Sequence, residues 1–123
     1  MIDRSFAEAF AEAWVDAWNR RDLAAVLSHY AEDVVFHSPR IAAVMGTRDA
    51  SVSGKAELER YWRTALPLSP DLHFEIERIY VGSDVLTIAY RNHRGQRVAE
   101  SFIFGDDGKV TRSVAAYEGP LRS

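Results

Sequence analysis

The chain has 123 residues, 47% of them apolar and 27% charged, with a formal net charge of −3. That is the size of one domain around one core, and mixed charge without a basic block sets nucleic-acid binding aside. There is no cysteine, which removes disulfides and thiolate chemistry; with no secretory leader pattern and no apolar run long enough to span a bilayer, a cytoplasmic protein is expected, with no membrane partner.

The first helix is read from Ser5, which has capping-box spacing to Glu8. Phe6, Phe10, Ala13, Trp14, Ala17 and Trp18 then recur at three and four residues and form one apolar stripe. Asp22 is the expected N-cap of a second, shorter helix whose buried side is Leu23, Val26, Leu27 and Tyr30. Residues 34–38 (VVFHS) follow as a short strand stopped by Pro39. Residues 40–52, with Gly46 inside them, read as a loop of the kind that often closes over a site. Ser53 caps a third helix with Leu58, Tyr61, Trp62 and Ala65 on its apolar side, ended by Pro67 and Pro70.

The remainder reads as sheet. Residues 72–81 alternate imperfectly, 85–92 and 96–104 pair through a tight turn at Arg94-Gly95, and 109–117 follows a four-residue turn, GDDG. Helices first and a meander of strands last argue for an α+β domain with its helices gathered on one face of the sheet. A two-residue turn at Arg94-Gly95 sets Ala89 opposite Glu100 and Thr87 opposite Phe102. A four-residue turn at 105–108 sets Ser113 opposite Glu100. One face then carries Val85, Thr87, Ala89, Arg91, Val98, Glu100, Phe102, Ser113 and Tyr117. This face, with its small and polar members, is expected to line a cavity under the helices. The greasier face is expected to meet a second copy, in a homodimer built through Leu86, Ile88, Tyr90, Ile103 and Val114. A slip of one residue in either turn exchanges these assignments.

Three segments, WVDAWNRRDLAAVLSHYAEDVVFHSP, VSGKAELERYW and ESFIFGDDGKV, span most of the chain. Together they resemble the nuclear transport factor 2-like or SnoaL-like superfamily. The resemblance implies a single domain over residues 1–123, with three helices of the N-terminal half on a curved, mixed and mainly antiparallel sheet. The sheet and helices form a cone with an internal cavity, and such domains often dimerise through the sheet. The superfamily hosts isomerases, dehydratases, polyketide cyclases, epoxide hydrolases and non-catalytic binding domains, so the resemblance specifies fold more than function. Set against the ketosteroid isomerases, the general-base aspartate falls on Ser38, the oxyanion-hole tyrosine on Trp14 and the second, acidic oxyanion donor on Glu100. A serine has no basic group for that proton transfer, so steroid isomerase activity is not expected.

Glu100 is the leading candidate for chemistry. An acid between Val98 and Phe102 on an inward face is desolvated, and its pKa should rise. Arg91, diagonally across the hairpin at a Cβ separation of about 7–8 Å, is its expected partner. Trp14, Trp18, Tyr30, Phe36, Ser38, Trp62, Phe102, Ser113 and Tyr117 complete a pocket suited to a flat apolar ligand. His37 faces away from Phe36 and Ser38 by strand parity. No pair of histidines has metal-site spacing with a nearby acid. Two classes of function follow, neither needing a cofactor. One is a domain binding a small apolar cyclic or aromatic molecule. The other is an isomerase, cyclase or dehydratase with Glu100 as general acid and base, tuned by Arg91. The absence of an aspartate at Ser38 favours the first.

Overall fold

In the computed structural model, which describes residues 1–120, the first helix starts two residues earlier than the capping box predicts. The Asp3 carboxylate accepts the Phe6 N–H at 2.8 Å, and α1 runs Arg4–Asn19. A carboxylate is as good an N-cap as a serine hydroxyl, and its charge also opposes the positive end of the helix. Asp22 caps α2 (Leu23–Leu27) as expected, its side chain accepting from the Ala25 N–H. Tyr30 is not on that helix. It opens the first strand, β1 (Tyr30–His37), which is longer than the sequence reading gave it.

The stretch read as a loop after Pro39 is a helix. Ser38 accepts the Arg40 N–H at 3.2 Å, Pro39 takes the first turn, and α3 (Pro39–Met45) ends on Gly46 at φ 68°. Ser-Pro at the start and glycine just past the end are the expected pair of signals for a short helix. The chain returns as β2 (Ser51–Ser53) beside β1, so Ser53 is a strand residue and Gly54, at φ 89°, precedes α4 (Lys55–Ala65). A 3₁₀ turn at Leu66–Leu68 follows, then β3 (Glu75–Val81), β4 (Val85–Arg91), β5 (Arg97–Phe104) and β6 (Val110–Tyr117). The strand order is β2-β1-β6-β5-β4-β3, with β1 and β6 parallel and the other neighbours antiparallel. Four helices therefore lie on a curved six-stranded sheet that is mixed and mainly antiparallel. None of the helices among the described residues is long and apolar enough to cross a membrane.

The β4–β5 register departs from the tight-turn expectation by one residue. The Asn92 side chain accepts the N–H groups of both Arg94 and Gln96 at 3.0 Å, which stabilises a longer loop at 92–96. Glu100 then pairs with Ile88, and Val98 with Tyr90. A one-residue slip turns every β4 side chain over. Leu86, Ile88 and Tyr90, expected on the outer face, are buried beneath the helices, and the Thr87, Ala89 and Arg91 side chains turn outward. On the other side, β6 is displaced by two residues, so Ala115 rather than Ser113 pairs with Glu100. An even shift keeps the face, and Ser113 and Ala115 stay inward. A bulge between Ile103 and Phe104 also brings Val110 in, where it is fully buried.

The core is aromatic. Trp14 packs edge-on against Phe102 at 5.3 Å, Trp18 against Trp62 at 5.0 Å, and Phe10 against Phe102 at 5.1 Å. Such contacts add to the area burial of each ring. Asn19 ties the end of α1 to the chain entering β3, its amide donating to the Phe74 carbonyl at 2.9 Å and accepting the Phe74 N–H at 2.8 Å.

Candidate functional site

A cavity of about 90 Å³ opens between the helices and the inner sheet face. Trp14 and Trp18 reach it from α1, Phe36 and Ser38 from the end of β1, Tyr61 and Trp62 from α4, and Tyr90, Glu100, Ala115 and Tyr117 from the sheet. Half-exposed Arg40, Leu66 and Leu72, with buried Ser69, stand on its rim.

Glu100 lies on the floor at 5% exposure. The Tyr90 hydroxyl donates to its Oε1 at 2.8 Å. Burial pushes the carboxyl up from 4.5 to about 7, and the Tyr90 hydrogen bond opposes only part of that rise; no cation contributes. Its charge is felt by four phenols. Burial raises Tyr30, Tyr61, Tyr90 and Tyr117, and the neighbouring Glu100 raises each further, Tyr117 reaching about 12. All four therefore remain protonated donors across the physiological range. Ser38 offsets part of that rise at Tyr61 and Tyr117. Trp14 Nε1–H donates to the Tyr30 hydroxyl at 3.1 Å. Trp18 Nε1 and Ser113 Oγ are buried without a partner among the described residues.

Of the residues expected at the site, Trp14, Trp18, Phe36, Ser38, Trp62, Glu100 and Tyr117 meet around the cavity. Tyr30, Phe102 and Ser113 are fully buried behind its walls and do not line it. Arg91 is not the partner of Glu100. The register slip puts it on the outer face, where it meets Glu77 at 3.3 Å beside an Arg97–Glu77 contact at 3.1 Å. The lining residues outside the expected site are Tyr90, Tyr61, Arg40, Ser69, Leu72 and Phe74, with Ala65, Leu66 and Ala115. Tyr90 followed the wrong register, and Tyr61 read as plain core on the apolar stripe of its helix. The Ser38-Pro39 pair with Gly46 was the available signal for the helix that carries Arg40. Among the described residues, no group of three His, Asp or Glu side chains could hold a metal ion.

The SnoaL-like domain profile matches residues 11–113. A SnoaL-like protein of unknown function from Burkholderia thailandensis is 41% identical; the match covers 97% of this chain and all of that one, with a TM-score of 0.89. AclR from Streptomyces galilaeus, described as a proposed hydroxylase, is 23% identical over 94% of this chain and 77% of its own, with a TM-score of 0.73. A protein of unknown function with a cystatin-like fold from Methylobium petroleophilum is 19% identical over 98% of this chain and 81% of its own, with a TM-score of 0.75. The last two likenesses are of fold alone. No curated protein matches the sequence.

Proposed function

The chain belongs to the SnoaL-like domain family, and from that premise we propose that it is a cytoplasmic small-molecule-binding domain whose cavity takes one apolar ring carrying an oxygen substituent. The observation that carries this reading is an aromatic cavity with one buried acid on its floor. Size narrows the ligand. Drug-sized ligands occupy pockets of roughly 300–1,000 Å³, and an apolar cavity of about 150 Å³ takes a benzene. At about 90 Å³ the present cavity is smaller than that one, which limits the ligand to at most a single small ring and excludes a fused polycycle. Trp14, Trp18 and Trp62 supply flat walls, and protonated Glu100 supplies a hydrogen-bond donor to a carbonyl or hydroxyl. The outer sheet face is proposed to pair two copies into a homodimer, through Ile103 and Val114, with Ala99 and Ala116 in the row beyond Val114.

One observation favours a second reading, in which the ligand reacts. A carboxyl held near neutrality takes and returns a proton with little cost at physiological pH. With serine at position 38, Glu100 itself would remove a proton from the carbon beside a ring carbonyl and give it back to the enolate, at that carbon or a conjugated one. The test for binding is quenching or shift of tryptophan emission on titrating cyclohexanone or phenol, with saturation expected; a flat response from both compounds overturns the reading. The test for reaction is α-proton exchange of cyclohexanone in D₂O near neutrality, followed by NMR. Exchange above the buffer rate that is lost in Glu100→Gln supports catalysis, and binding without exchange leaves a binding domain.

A further inference from the structure

Arg21 stands where a helix end normally has glycine. α1 closes with the Asp22 N–H on the Ala17 carbonyl and the Arg21 N–H on the Trp18 carbonyl, both at 2.9 Å. This pattern puts Arg21 in the left-handed region at φ 58°, where a Cβ crowds the backbone. No other non-glycine among the described residues has a positive φ. The side chain accounts for the choice. Its guanidinium donates from Nη1 to the Ser69 carbonyl at 2.8 Å and from Nη2 to the Leu66 carbonyl at 2.9 Å. The fork of the guanidinium thereby spans the 3₁₀ turn after α4.

That turn begins the segment that joins α4 to β3. Leu66, Ser69, Leu72 and Phe74 of this segment all line the cavity. From Ser69 to the start of β3 at Glu75 the chain is in neither helix nor strand. Its far end is held by Asn19, which bonds both backbone groups of Phe74. One turn, residues 19–21, therefore grips the segment at both ends. The ties from the β4–β5 loop are longer: Arg94 reaches the Ser69 hydroxyl at 3.4 Å, and His93 lies 3.9 Å from Asp71. The other walls are mainly α1, α4 and strands of the sheet, whose backbone groups bond within helix or ladder. Residues 66–74 can move without breaking either.

A ring can enter only if a wall yields, because the cavity holds about 90 Å³ and benzene takes a cavity of about 150 Å³. We propose that residues 66–74 are the wall that yields, and that Arg21 is a positioning residue that limits how far they yield and so sets the size of ring admitted. The inference rests on the small-molecule reading above and deepens it. With the Arg21 hydrogen bonds in place, the segment gives enough for one ring. Without them the near end is free of the α1–α2 turn, and a fused pair of rings fits.

Arg21→Gly tests the proposal, because glycine suits φ 58° and only the side chain is lost. The Ser69, Leu72 and Phe74 N–H groups are each hydrogen-bonded. In the variant these three amides are expected to exchange with solvent at least about tenfold faster, with the β5 amides unchanged. Unchanged exchange at the three positions overturns the proposal. Binding is followed by tryptophan emission with cyclohexanone and with 2-decalone, its fused two-ring counterpart. The wild-type protein is expected to bind cyclohexanone at least about tenfold more tightly than 2-decalone, and Arg21→Gly to narrow that ratio at least about fivefold. Arg21→Lys, which keeps the charge and loses the fork, is expected to fall between the two. A general loss of stability weakens both ketones alike, so an unchanged ratio overturns Arg21 as the residue that sets ring size. If neither ketone binds any of the three proteins while the three amides exchange faster, the small-molecule reading fails and the hold of Arg21 on residues 66–74 stands.

Discussion

Tyr90 on β4 donates to Glu100 on β5 across 2.8 Å, although Ile88, not Tyr90, is the residue paired with Glu100. The bond runs diagonally between residues that share the inward face. It stabilises the ionised carboxyl, while burial stabilises the neutral one. Tyr90→Phe removes the first effect and keeps the second. The Glu100 midpoint, read by carboxyl-resolved NMR, is expected to move further above about 7. A midpoint that stays put or falls would show that the phenol does not hold the charge.

Arg91 gives the converse expectation. Its contact with Glu77 is largely solvated, at 45% and 31% side-chain exposure, and pairs of this kind contribute about 0–1 kcal/mol. Arg91→Gln should leave the Glu100 titration unchanged and alter stability by less than about 1 kcal/mol. A shifted Glu100 midpoint in that variant would contradict the observed register.

The pH dependence of stability follows from the same carboxyl. Its folded value of about 7 lies above its ordinary value of 4.5, so between these values the folded state holds a proton that the unfolded chain has released. The stabilisation is therefore complete below about pH 4.5 and is lost as pH rises through about 7. Two and a half units correspond to roughly 3 kcal/mol. Glu100→Gln is neutral throughout. In urea unfolding, wild type should lose stability relative to the variant between pH 5 and 8. A constant difference across that window would mean that Glu100 does not titrate with folding.

What the sequence disclosed follows from which signals are local. Stripes such as Phe10, Trp14 and Trp18 fix a helix and its buried side within one element. The alternation around Glu100 likewise identified an inward acid. Register is not local in that sense. It depended on whether residues 92–96 close as a two-residue turn or around Asn92, and only the Asn92 side-chain hydrogen bonds decide it. That choice moved Tyr90 to the site and Arg91 away from it. Ser38-Pro39 serves equally as the end of a strand and the start of a helix, and the strand-end alternative leaves Arg40 in a loop.

Asn19 is a second long-range tie that its surroundings in sequence do not announce. Its side chain satisfies both backbone groups of Phe74 where the chain enters β3, and Phe74 lines the cavity against Tyr90 at a ring separation of 4.5 Å. Asn19→Ala leaves a partly buried N–H and C=O to find water, and should cost about 1–3 kcal/mol in thermal or urea unfolding. Asn19→Asp retains the acceptor and should cost less. Equal losses in both variants would mean that the side chain matters for packing and not for these two bonds.

The exchange of β4 faces also changes what the outer sheet presents. Ala89, Ala99 and Ala116 now form one row across three strands, and Thr87 and Ser101 hydrogen-bond to each other at 2.8 Å in the next. Val114, at 42% exposure, extends that second row on one side, and Tyr80, at 55%, on the other. A broad face of small residues with two exposed apolar side chains lets a second copy approach closely, and a two-fold arrangement sets the same rows against each other. Sedimentation at micromolar concentration is expected to give a dimer. Ala99→Arg places a long cation in the middle strand of the alanine row, and again in its symmetry mate, and is expected to give a folded monomer. A wild-type monomer at that concentration would refute the pairing, and a dimer that survives Ala99→Arg would move the interface away from this face.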